Sequence, residues 1–112
     1  MGTKKAPMKT IKQTRKVKRS ISYLSSKIDT NPNNPILYYQ RGVEWSQRGV
    51  YDLALADFTR AITLKDDFAR AYYGRGTVYN TLKEYEKAKK DFYKSHTLLR
   101  RVRSNEDLVR HN

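Results

Sequence analysis

Carboxylates such as Asp52, Asp57, Glu84, Glu86 and Asp91, and the two histidines His96 and His111, are side chains that could carry acid–base or metal chemistry. Acid–base catalysis needs such groups converging on one cavity with their protonation tuned by neighbours, and a metal centre needs several ligands at matched spacing. Neither pattern occurs. Each of the five carboxylates has a Lys or Arg within a helical turn, so all read as solvated ion pairs worth a few tenths of a kcal/mol. His96 reads as a packed or half-exposed helix residue in the place of Ile62. With no cysteine there is no disulfide, thiolate ligand or Cys nucleophile. No glycine-rich loop stands where it could cradle a phosphate. The sequence predicts no catalytic residue, no metal site and no cofactor.

Binding is what remains, and the charge indicates one kind. The 112 residues carry 24 Lys+Arg against 11 Asp+Glu, a formal charge of +13. Much of the excess lies in an arm holding Lys4, Lys5, Lys9, Lys12, Arg15, Lys16, Lys18 and Arg19. Three readings fit it. Like-charge blocks are commonly solvated tails. They also attach to nucleic acid or anionic membrane. The third is targeting, since "TRKVKR" is similar to a nuclear-import cluster, and the acid-free start has a weak likeness to a mitochondrial presequence. Aromatics suited to base stacking are missing from the arm. No apolar run approaches the roughly 20 residues of a membrane-spanning helix, and the chain is expected to be intracellular, in the cytoplasm first and the nucleus second.

The elements that would position a binding face announce themselves by repetition. "YYQRGVEW" at 38–45 returns as "YYGRGTVY" at 72–79. The period of 34 residues continues through Tyr51 and Tyr85, Ala54 and Ala88, Asp57 and Asp91, Phe58 and Phe92, Thr63 and Thr97, Leu64 and Leu98. Such a period signals stacked supersecondary units. Tyr38, Gly42 and Trp45 form one helical stripe; Tyr51, Ala54, Phe58, Ala61 and Leu64 form a second after a break at Gly49–Val50. Gly42 and Gly76, costly by about 1 kcal/mol inside a helix, imply close approach of the partner helix.

On these residues the chain resembles the tetratricopeptide repeat family: aromatic-x-x-Arg-Gly-x-x-aromatic, then Tyr, then Ala-x-x-x-Phe and a small residue. It departs from the pattern where Arg41 and Arg75 replace the usual Leu, and where Asp66 and Arg100 replace the closing Pro. The resemblance implies an all-α fold, an α-solenoid of antiparallel helix hairpins in a right-handed superhelix with about five main helices. The expected divisions are a basic arm (1–16), a packing helix and turn (17–34), full repeats at 35–68 and 69–102, and a tail or short capping helix (103–112) opened by a Ser104 to Asp107 capping box. Val17, Ile21, Leu24 and Ile28 give the packing helix one apolar face.

In this family the first helices line a concave side that holds peptides. The resemblance therefore implies a non-catalytic adaptor or scaffold binding a protein or peptide through Ile36, Tyr39, Gln40, Val43 and Gln47 of the first repeat and Arg70, Tyr73, Thr77 and Asn80 of the second. Members that clamp chaperone C-terminal tails use Lys and Asn where Tyr39 and Val43 stand, and Asn where Gly74 stands, which argues against chaperone tails as partners. An alternative expectation is a polyanion-associated module driven by the arm. If no capping helix covers Leu98, Leu99 and Val102, self-association through that end is a further expectation.

Overall fold

The chain was analysed as a computed structural model in which residues 21–111 are described. All regular elements there are helices: α1 (residues 21–30), α2 (Pro35–Gln47), α3 (Tyr51–Leu64), α4 (Ala69–Thr81) and α5 (Tyr85–His111). Helix α2 pairs with α3 and α4 with α5, and α3 packs on α4, so two antiparallel hairpins are stacked in chain order. This is the all-α arrangement the period predicts. No described helix is long and apolar enough to cross a membrane.

Local chemistry sets the boundaries. Asn34 caps α2, its side chain accepting from the Ile36 amide at 3.0 Å, and Pro35 occupies the first helical position, where its missing N–H is harmless. Gly49 turns α2 into α3 with φ +77°, and Lys83, one period later, takes φ 64° in the turn between α4 and α5. In each turn an amide just beyond the helix reaches back to a carbonyl five residues earlier: Val50 to Trp45 at 2.9 Å, Glu84 to Tyr79 at 2.8 Å. This back-bonding satisfies helix-end carbonyls and fixes the hairpin angle. The turns between repeats are pinned by hydroxyls, Tyr38 donating to the Pro32 carbonyl at 2.9 Å and Tyr72 to that of Asp66 at 3.0 Å.

The core is built from ring against glycine. Phe58 is 1% exposed. A Cβ added to Gly42 would lie 3.0 Å from its ring, and one added to Gly74 only 2.8 Å away, so Phe58 is held between the first helices of both repeats. Gly76 stands over Phe92 in the same way, at 2.8 Å. These contacts account for glycine in the helix interior: the backbone approaches nearer than any side chain would allow.

Two readings need correction. Asp57 and Asp91 are not solvated; they are 6% and 5% exposed. Arg41 donates to Asp57 through Nε (2.8 Å) and Nη2 (2.9 Å), and Arg75 to Asp91 through the same atoms, both at 2.8 Å. Planar guanidinium matches planar carboxylate, which makes the fork specific to Arg. Hydrogen bonding to the carboxylate raises both guanidinium pKa values against the opposing effect of burial. The remaining arms cross to the preceding second helix, Arg41 Nη1 to the Ser25 hydroxyl (3.1 Å) and Arg75 Nη1 to that of Thr59 (3.3 Å).

The second correction concerns residues 103–112. In place of a tail or separate capping helix, α5 runs on unbroken to His111. Its counterpart α3 ends at Leu64, where Lys65 turns extended (φ −144°) ahead of Asp66 and Asp67. One period later "LRRVR" replaces "KDDFA". Carboxylates oppose the negative C-terminal end of a helix while Leu and Arg favour continuation, so the same position ends one helix and prolongs the other.

Candidate functional site

The helix period that buries Gly42 and half-buries Tyr38 turns Ile36, Tyr39, Gln40 and Val43 onto another side of α2. Two recesses lie along that side. One, of about 390 Å³, is formed by Ile36, Tyr39 and Gln40 of α2, by Lys65, Asp67 and Phe68 of the inter-repeat turn, by Ala69 and Arg70 at the start of α4, and by Leu99 of α5. The other, of about 350 Å³, lies between Tyr23 and Leu24 of α1 and Tyr39, Gln40, Val43 and Glu44 of α2. Tyr39 and Gln40 border both, so the two recesses form a groove along α2 from α1 to the start of α4.

Tyr39 is half-buried at the middle of that groove. Its ring packs 5.9 Å from Phe58 and 5.1 Å from Phe68, tilted against each. The aromatic floor is therefore rigid, and its outer surface faces the groove. Ile36 is 52% exposed beside it. Lys65 lies over the Phe68 ring at 6.0 Å and pairs with Asp67 at 3.2 Å, an exposed contact of little energetic weight. Arg70 is exposed at the lip and forms no ion pair among the described residues. The groove combines an aromatic and aliphatic floor with positive charge at one end.

Of the residues predicted to bind, Ile36, Tyr39, Gln40 and Arg70 meet in one recess, and Val43 lines the other. Gln47, Tyr73, Thr77 and Asn80 border neither. Gln47 and Asn80 are exposed near the far ends of their helices. Tyr73 is 61% exposed although its ring lies 5.4 Å from Phe92, and the Thr77 hydroxyl is turned back to the Tyr73 carbonyl at 2.9 Å. The arm residues Lys4 to Arg19 lie outside the described residues. Sequence reasoning missed Tyr23, Lys65, Phe68 and Leu99, which come from α1, a turn and the middle of α5. Phe68 carried a legible signal, as the sole aromatic in the polar turn "KDDF".

Comparison with known proteins agrees with the fold. The model of the tetratricopeptide repeat family matches residues 69–97. Human serine/threonine-protein phosphatase 5 is 33% identical over 73 residues, 65% of this chain, but the match spans 15% of that protein's length. An uncharacterized protein of Methanocaldococcus jannaschii is 30% identical over 67 residues, covering 60% of this chain and 78% of that protein. Among solved structures, the second TPR of Spaghetti (RPAP3) bound to the HSP90 peptide SRMEEVD superposes with a TM-score of 0.72 at 26% identity, covering 86% of this chain and 89% of that one. The first TPR of the same protein, bound to the same peptide, gives 0.73 at 28% identity, covering 84% and 74%.

The expectation against chaperone tails is not borne out: two of the solved structures similar to this chain hold the HSP90 peptide SRMEEVD. Identity at Tyr39, Val43 and Gly74 tests one way of holding a carboxylate. The structure brings Lys65 and Arg70 to the same groove from positions outside that comparison.

Proposed function

The chain belongs to the tetratricopeptide repeat family, and on that premise we propose that it is a non-catalytic interaction module holding an extended peptide in the groove along α2. The observation that carries this reading is the convergence of Ile36, Tyr39, Gln40 and Arg70 with Phe68 and Lys65 around one recess. In this reading an apolar side chain of the peptide packs on Ile36 and the Tyr39 ring. The Gln40 amide bonds peptide backbone. Arg70 and Lys65 meet a carboxylate, either a side chain or a chain terminus. Aromatic and Arg anchors of this kind concentrate binding energy in a few contacts, and a rigid floor lowers the ordering cost on association.

A fluorescence-anisotropy titration with the labelled peptide SRMEEVD tests it. Arg70→Ala is expected to weaken binding about tenfold, as for loss of a charged anchor. Arg48→Ala, which removes an exposed cation away from the recess, serves as the control and is expected to leave affinity unchanged. Equal losses in both variants would mean that general positive charge, and not this groove, holds the peptide.

A further inference from the structure

On the far side of α5 from α4, no described helix covers the stack. Helix α4 sits on α3 by placing Gly74 against the Phe58 ring and Arg75 against the Thr59 hydroxyl. One period later α5 presents Phe92 and Tyr93, and among the described helices α5 packs against α4 alone. Tyr93 is 74% exposed, and Leu99 and Val102 are each 56% exposed. Because α5 continues where α3 stopped, the chain does not fold back over this surface within the described residues. A recess of about 380 Å³ follows the line of Phe92 along α5, lined by His96, Leu99, Arg100, Val102 and Arg103.

The chemistry of this position differs from that of α3 in one systematic way. Asp66, Asp67 and Ala69 correspond to Arg100, Arg101 and Arg103, and no carboxylate occurs from Phe92 to Asn105. Shape calls for a helix, since a helix fills the equivalent place on α3. The exposed Leu99 and Val102 call for an apolar stripe, and the flanking arginines for acidic side chains beside it. A second copy of this chain, at +13, meets the surface with like charge.

We propose that the end of the stack formed by Phe92, Tyr93, Leu99 and Val102, and rimmed by Arg100 and Arg103, docks an acidic amphipathic helix of a partner protein. By analogy with Gly74 over Phe58, that helix carries a small residue opposite Phe92, with carboxylates one turn away facing the arginines. The surface is separate from the groove along α2 except at Leu99, which borders both recesses. Val102 and Arg103 belong to this end alone and therefore discriminate.

The probe is a labelled synthetic peptide of about 15 residues, long enough for a stable helix when docked, with Leu and Ala on one face and Glu on the others. A scrambled peptide of identical composition is the control. The full chain is expected to bind the amphipathic peptide about tenfold more tightly than the scrambled one, with Val102→Ser and Arg103→Glu each reducing affinity about tenfold and Arg70→Ala leaving it unchanged. Both substituted side chains are exposed, and unaltered circular dichroism establishes that the fold is kept. Equal binding of the two peptides, or indifference to Val102→Ser, overturns the proposal in favour of charge attraction of the sort a nucleic acid would show. A dimer in sedimentation that Val102→Ser dissociates overturns it in favour of a second copy.

Discussion

At the scale of single residues, the Arg41–Asp57 and Arg75–Asp91 forks are where sequence reading went furthest astray. Arg41 and Arg75 were legible as departures from the family pattern, and Asp57 and Asp91 as a repeating acid. Pairing them required the register of the hairpin, a sixteen-residue offset that Gly42 and Phe58 also obey. Nearby Lys and Arg on the same helix suggested a local, solvated partner, and the buried one lay across the hairpin. Removing half of a fork leaves a carboxylate whose side chain is 7% exposed without its counter-charge, while the guanidinium that leaves is 19% exposed and partly screened. Arg75→Ala is therefore expected to lower stability by about 2 kcal/mol, below the range for fully buried pairs. Replacing both partners, Arg75→Leu with Asp91→Ala, is expected to recover most of that loss. Urea unfolding of the single and double variants gives the coupling directly.

Among the helices and turns, the period read from sequence placed four hairpin helices and the break at Gly49–Val50 correctly, because apolar and small residues recur at fixed spacing on each face. It failed at α5, where two Asp-to-Arg exchanges turn a stop into a continuation; periodicity alone is blind to which residues end a helix. The turns hold a second asymmetry. Gly49 takes its positive φ freely, but Lys83 takes the same conformation with a side chain, at a penalty of about 1–2 kcal/mol relative to glycine. Lys83→Gly is expected to raise stability by about 1 kcal/mol after the greater freedom of glycine in the unfolded chain is deducted. The midpoint of thermal unfolding measures this. A fall in that midpoint would mean that the Lys83 side chain supplies a contact outweighing the backbone strain.

For the molecule as a whole, cohesion passes through Phe58. It touches Gly42 in its own repeat and Gly74 in the next, so Phe58→Ala opens a void between the two units and is expected to cost about 3–5 kcal/mol. Phe92 has Gly76 and Tyr73 beside it but lies at the open end of the stack, and its loss is expected to cost less. Unfolding followed by tryptophan fluorescence, reporting Trp45, against far-ultraviolet circular dichroism tests whether the Phe58 variant separates the repeats into two transitions. Coincident curves would show that the remaining contacts still couple them.

The polar rungs Ser25–Arg41–Asp57 and Thr59–Arg75–Asp91 suggest how such a molecule grows. Helix α3 provides the acid that closes one rung and, two residues on, the hydroxyl that opens the next. It is a plug and a socket at once. Copying residues 35–68 and splicing them in ahead of Ala69 would supply a fresh guanidinium for Thr59 and a fresh hydroxyl for Arg75, and the new joint would need one change, Gln40 of the copy to Gly, because that residue would stand where Gly74 meets the Phe58 ring. The length of the stack is thus adjustable for evolution or an engineer by tandem duplication, with a single small-residue exchange at the seam.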